Sequence, residues 1–444
     1  MSKLRTGALL IVTTALFMNS SLSVVTAAEP KVGSLCTKVG AFFDTPNTRY
    51  VCKQEGTKKV WRVWNSGVVA VPKAPAKNSV SRKLLKPAPV TGNYGITWAN
   101  IVSKVNNISL AAWTDAQNTI AKNQRRSDVN AGFVSYVSPG ALLTDPQIGD
   151  GATLIKRVLI LLANVPRAKN VYFVATTQEE QIATQNKIKS MYPDALSLLT
   201  RSLDSIYGKG DGSDGVPKDS VFVQTKCNGR HSLRNTFSQP TSAIPSIATS
   251  LITVSVCPTN KEGSLEGVHG SAHEYVHTIQ AAIHPGGYIK GYQPCWMTEG
   301  EAEWVQAAVS NDFTTYLKMQ HLGPYYQTSS GLNHRDSTQL VWTAQDTAKY
   351  LKGSVDSRTC GDTEMFALAY SLGAATAEAL VSIGGSESLF ALDERLSSGQ
   401  KINVAFKDVY GITWDAAIPI LSQVVAIKIT KAMSSEALTY QTKP

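Results

Sequence analysis

GVHGSAHEYVHTIQAAI, residues 267 to 283, is the stretch on which the reading of this chain turns. It falls where the hydrophobic periodicity becomes helical, from about residue 265 onward. Inside it His273, Glu274 and His277 form an HExxH pattern. Residues four apart share one face of a helix, so the two imidazoles can converge on a single ion, and nitrogen ligands of this kind suit zinc. Glu274 then projects beside the metal. There a carboxylate can take a proton from an activated water and later deliver it to a leaving amine.

Two ligands do not complete such a site. The HExxHxxGxxH pattern of the metzincins is not met, because Gln280 stands at its glycine position and Ile283 at its last histidine position. His284 comes one residue late, and the adjoining HPGG marks the end of the helix. The better third ligand is Glu299, in PCWMTEGEAEW at residues 294 to 304, which predicts a second helix. Glu303 lies four residues beyond Glu299 on the same face. From there it can accept the second ring N–H of a metal-bound histidine, which fixes the tautomer and raises the basicity of the ligand. A solvated acidic face is the plainer alternative, and the flanking Trp296 and Trp304 argue against it.

HEYVH followed by WMTEGEAEW resembles the catalytic core of the gluzincin metallopeptidases, a pattern shared by bacterial collagenases and the large zinc aminopeptidases. FALAYSLGAATAEAL, residues 366 to 380, resembles the helix of that group that carries an aromatic hydroxyl ahead of a Gly-Ala pair. By that match Tyr370 is the catalytic tyrosine, donating a hydrogen bond to the oxyanion formed when water adds to a peptide carbonyl. VAFKDVYGITWDAAIPIL, residues 404 to 421, is similar to the closing helices. The resemblance runs in patches from about 265 to 425. It implies a zincin-like α+β fold, in which a mixed-sheet lobe leads into the HExxH helix and a mostly helical lobe follows, with a cleft between them. It also implies zinc as cofactor and a protein or peptide as substrate. Two departures limit the match: the spacer before Glu299 differs from the usual aminopeptidase length, and no GxMEN segment is present to hold a free amine. An endopeptidase is therefore expected over an aminopeptidase. The competing reading is an inactive zincin-fold protein that binds an envelope or extracellular partner; retention of Glu274 counts against it. An accidental HExxH in a structural protein is a third, opposed by the joint presence of all three segments.

Four other histidines remain. His269 shares the helical face of His273, where packing or capping is its ordinary role, and His231, His321 and His334 have no local partner pattern.

Upstream of the motif, residues 94 to 130 and 152 to 164 predict helix, NVYFVATT (170 to 177) a buried strand, and residues 178 to 192 another helix. A Gly- and Asp-rich loop at 207 to 220 precedes strands expected at VFVQT (221 to 225) and SLITVSVCPT (250 to 259). Periodicity alone thus supports α/β followed by α.

The N-terminal end predicts export. Lys3 and Arg5 precede an apolar run from Ala8 to Met18, and small residues follow up to Ala28, with cleavage expected after Ala27 or Ala28. No later run is long and apolar enough for a membrane helix, so a soluble protein that is secreted or held at the cell envelope is expected. All six cysteines lie in the exported part, and an even count there reads as disulfides. Domain layout favours pairing Cys36 with Cys52, Cys227 with Cys257, and Cys295 with Cys360.

Four segments are expected: the signal at 1–28, a small bridged module at 29–66, a Pro/Ala/Lys-rich linker at 67–91, and the peptidase-like domain at 92–444. The module is too small to bury a sufficient core unaided. It resembles small Cys-Cys-Trp units appended to secreted actinobacterial proteins, with a short β-rich fold and Trp61 and Trp64 at its edge. The formal charge of +10 favours anionic neighbours, an envelope polymer or an acidic substrate, though solvated surface charge accounts for it more simply. Without a basic stripe interleaved with aromatics, no nucleic-acid partner is expected.

Overall fold

The computed structural model describes residues 31–39, 42–44, 49–63, 85, 95–141, 151–207, 232–238, 247–257, 264–284, 293–326, 342–355 and 363–432. The expected signal peptide, the strand at 221 to 225, Trp64, His231 and His334 lie outside these residues, as does all of the expected linker except Leu85. The chain divides into two compact units, residues 1–82 and 83–444.

The first unit is a three-stranded antiparallel sheet made of β1 (Phe42–Asp44), β2 (Arg49–Glu55) and β3 (Lys58–Val63), in that order. Gly56, with φ of +60°, supplies the left-handed residue that turns β2 into β3. Only Tyr50, Val51, Cys52 and Val60 are buried among its described side chains. The Cys36–Cys52 disulfide supplements that sparse core. By loop entropy a bridge across a span of 16 residues contributes about 3 kcal/mol. Trp61 stands opposite Cys52 on the edge strand. Cys257 and Cys295 are disulfide-bonded as well; Cys227 and Cys360, their expected partners, lie outside the described residues. Such bonds fit an oxidising compartment.

The second unit is mixed α/β and then helical. In chain order it runs α1 (Ile108–Asn123), β4 (Phe133–Val137), α2 (Gly151–Leu161), β5 (Asn170–Thr177), α3 (Gln181–Met191), α4 (Pro193–Tyr207), β6 (Ser232–Phe237) and β7 (Thr249–Val256). The strands form one sheet in the order β4-β5-β7-β6, parallel except for β6, which pairs antiparallel to β7. β5 is a nearly continuous apolar run, and β7 alternates apolar residues with small Ser and Thr; successive side chains point to opposite faces, and both strands are buried on both. Val171, Phe173 and Ala175 face the main core, which holds residues of α2, while Tyr172 and Val174 join Ile188, Leu198 and Leu199 of α3 and α4.

Three expectations change here. Helix occupies only part of 94 to 130, because residues 98–104 form turns and turns resume after Asn123, ahead of β4. Neither β4 nor β6 stood out in the sequence; SLRNTF of β6 has little apolar character, as suits an edge strand whose described side chains are half-buried. Leu85, inside the expected linker, belongs to the second unit, where its N–H donates to Glu394 Oε2 (3.0 Å) and its carbonyl accepts from Arg395 Nη1 (3.0 Å).

After the sheet come α5 (Ser264–Ile283), α6 (Cys295–Ala308), α7 (Phe313–Tyr326), α8 (Ala344–Gly353) and α9 (Thr363–Leu368). A π-helical turn, Ala369–Gly373, leads into α10 (Ala374–Gly384), and α11 (Ser388–Ser397), α12 (Ile402–Tyr410) and α13 (Trp414–Ala432) complete the unit. No single described helix is long and apolar enough to cross a membrane; α12 and α13 together reach that length but are bent by 70°. Trp296 of α6 stacks on Trp414 of α13, with centroids 5.4 Å apart and planes within 8°. In the helical core Glu378 accepts from Tyr316 Oη (2.6 Å) and is ion-paired to Lys428, joining α7, α10 and α13.

Candidate metal centre

α5 packs its sequence pattern as the periodicity requires. Ala272, Tyr275, Val276 and Ile279 enter the core, and the intervening His273 and His277 project together toward α6. α6 returns Glu299 to meet them. His273 Nε2 lies 3.1 Å from Glu299 Oε2 and 3.0 Å from His277 Nε2, and His277 Nε2 lies 3.3 Å from Glu299 Oε2. All three side chains are buried and form a group able to hold a metal ion. Ligand atoms bound at about 2.0–2.1 Å to a tetrahedral ion stand about 3.3 Å apart, so the three separations fit a common ion between them.

The outer ring nitrogens support the same orientation. Glu303 Oε1 lies 3.1 Å from His273 Nδ1, as its spacing from Glu299 suggested, and Gln306 Nε2 donates to Glu303 Oε2 (2.6 Å). On the second imidazole, His277 Nδ1 is 2.9 Å from Gln280 Oε1. Both rings therefore present Nε2 to the shared space. Burial pushes the His273 imidazole down, but hydrogen bonds to Glu299 and Glu303 and their charges outweigh it, and the net shift is upward. For Glu299, burial acts upward, and the charge of His277 with hydrogen bonds to both histidines overrides it, holding the carboxyl well below its ordinary range. Glu299 is thus held charged between two imidazoles whose own shifts are upward.

Two further groups flank the cluster. Glu274, half-buried, accepts from Asn235 Nδ2 of β6, so the antiparallel edge strand fixes the carboxylate next to the first histidine. Tyr370 sits in the π-helical turn with its ring parallel to His273, centroids 5.7 Å apart and planes within 2°. Burial raises its phenol, and the charge of and hydrogen bond to Glu299 raise it further, well above the ordinary tyrosine value. It stays protonated and able to donate. π-turns concentrate at functional sites because the extra residue re-aims a side chain.

What lets the π-helical turn of Tyr370 approach α6 is a backbone contact between glycines. A Cβ on Gly373 would lie 2.5 Å from the Trp296 carbonyl oxygen, and one on Gly300 would lie 2.3 Å from the Gly373 carbonyl carbon. The helix of Glu299 and the turn of Tyr370 therefore touch main chain to main chain.

Among the described side chains, His284 and His269 are not in the group. His284 Nε2 is 2.9 Å from Asp393 Oδ1 of α11, and His269 Nδ1 is 3.0 Å from the Gln306 carbonyl oxygen. Sequence reasoning missed Asn235, which sits on a strand it did not find. It also passed over Gln280, whose three-residue separation from His277 on a helix was a usable signal. Comparison with protein-family models, with characterised proteins and with solved structures returned no match for this chain.

Proposed function

We propose that the chain is a secreted, zinc-dependent peptidase with a zincin-like fold of the gluzincin kind, in which His273, His277 and Glu299 hold the ion. The observation that carries the reading is the convergence of these three side chains at 3.0–3.3 Å with Glu274 and Tyr370 on their flanks. Two imidazoles and one carboxylate are the donor set of many catalytic zinc sites that keep an open position. When bound, the ion polarises a carbonyl and makes water nucleophilic near neutral pH.

The rest is done by the chain. Glu274, held by Asn235, takes the proton of the attacking water and returns it to the departing amine nitrogen. Tyr370, kept protonated by its surroundings, donates to the oxygen on which negative charge develops. Glu303 and Gln306 hold the first imidazole in one tautomer and orientation. Protein or peptide is the substrate class, and internal bonds are favoured because no counterpart of the amine-anchoring segment of aminopeptidases is present. Disulfide-bonded cysteines, together with the charged and apolar pattern of residues 1 to 28, support export.

The test is elemental analysis of the purified mature protein beside Glu299→Ala, with casein hydrolysis by wild type and Glu274→Gln. One zinc per chain, reduced in the first variant, with hydrolysis lost in the second, is the expected result. Stoichiometric zinc without hydrolysis replaces the peptidase by a metal-holding binding protein, and absence of zinc overturns the site.

A further inference from the structure

The two metal-facing histidines are held by different chemistry. His273 has a carboxylate, Glu303, at its outer nitrogen, whereas His277 has a neutral amide. Which end of an amide side chain faces a ring is settled only by its other partners, and for Gln280 those partners leave one answer. Its nitrogen lies 2.9 Å from the backbone carbonyl oxygen of Thr298 and 3.0 Å from Glu301 Oε2. The Thr298 carbonyl can only accept, so the NH2 group must face α6 and the amide oxygen must face His277. His277 therefore carries its proton on Nδ1 and presents Nε2 to Glu299 and His273.

The anchor of this amide is itself built and buried. Gln280 is 1% exposed and Glu301 is fully buried; Gln293 Nε2 also donates to Glu301 Oε2, at 3.3 Å. Thr298 and Glu301 lie on either side of Glu299 in the chain. The side chain that orients the second histidine is thus fastened to the stretch of α6 that delivers the carboxylate.

We infer that Gln280 is a positioning residue of the metal centre: its amide oxygen, oriented by the Thr298 carbonyl and Glu301, fixes His277 as the Nε2 ligand. This rests on the proposed metal-binding role of the site, and its test reads the metal directly. Zinc dissociation constants by chelator competition, and the visible spectrum of the Co2+-loaded protein, are measured for wild type, Gln280→Met and Gln280→Glu, with urea unfolding of each metal-depleted protein as the folding control. Gln280→Met fills the same space without an acceptor, and its zinc affinity is expected to fall by about 10–100-fold with altered Co2+ bands. Gln280→Glu keeps an oxygen opposite His277 Nδ1 but sets its second oxygen, in place of the amide donor, against the Thr298 carbonyl and Glu301, so its loss of affinity is expected to be smaller than that of Gln280→Met but not absent.

Wild-type affinity and spectrum in Gln280→Met overturn the inference, as does an equal loss in both variants, which makes the residue mere packing. Should Gln280→Met not fold, Gln280→Ala takes its place: wild-type affinity and Co2+ bands refute the acceptor role, and a loss of about tenfold or more supports it. A wild-type protein that binds neither ion overturns this inference together with the reading beneath it. Stoichiometric zinc with an indifferent Gln280→Met overturns this inference alone.

Discussion

On the proposed function, replacing Gly373 by alanine probes Tyr370 without touching the proposed metal ligands. The new Cβ would meet the Trp296 carbonyl oxygen at 2.5 Å and Gly300 Cα at 3.2 Å, and ordinary contact begins at 3.4 Å. The nearest obstacle is helix backbone, which cannot rotate aside, so the π-turn must retreat by about 0.9 Å. Overpacking of this kind costs about 1–3 kcal/mol of stability, and a displacement near 1 Å of a group acting on the transition state costs about 100-fold in rate. The expected result is therefore kcat for casein or a peptide substrate lowered about 100-fold with one equivalent of zinc retained. Tyr370→Phe, which removes the donor without moving backbone, is expected to lower kcat by about 10²–10³. Combining the two is expected to add little, because both act through one hydroxyl. Gly353→Ala serves as control, since its Cβ would meet only the end of Met365 at 3.4 Å. Steady-state kinetics, metal analysis and thermal melting on the same preparations read all of this. A Gly373→Ala enzyme with wild-type kcat would refute the claim that the glycine contact sets the reach of Tyr370; loss of zinc would show that the turn also supports the ligands.

Asn235→Ala removes the donor that holds Glu274 from β6, and kcat is expected to fall about tenfold while zinc content is unchanged, read by the same assays. Lys428→Met strands the fully buried Glu378 without its cation, and urea unfolding is expected to show a loss of about 3–5 kcal/mol. At His284, burial lowers the imidazole but the charge of Asp393 and the hydrogen bond donated to it win, so the folded pKa of His284 lies above the ordinary value. The stabilisation is then fully present below about pH 6.5 and is lost as pH rises through the raised folded value. The urea midpoint difference between wild type and His284→Gln is expected to be largest near pH 6 and to shrink toward pH 9; a difference constant with pH removes the ion pair from the account.

Features that depend on residues close together along the chain were legible in the order of residues alone. HExxH shares a face because a helix turn is nearly four residues, and the acids of α6 fell between tryptophans that had to be buried. The two buried strands were legible as runs of apolar and β-branched residues, and Cys36 and Cys52 as a pair in a module with almost no core. Tertiary structure decided everything that depends on long-range approach. β6 is a half-polar edge strand whose place is set by pairing with β7, so Asn235 gave no signal of lying against Glu274. The orientation of the Gln280 amide follows from a carbonyl and a carboxyl on another helix. His284 turned to Asp393 rather than to the metal group because α11 packs across the end of α5. Periodicity fixes which face a residue occupies; which partner meets that face is chosen by packing between segments far apart in the chain, and a string of residues does not carry that distance.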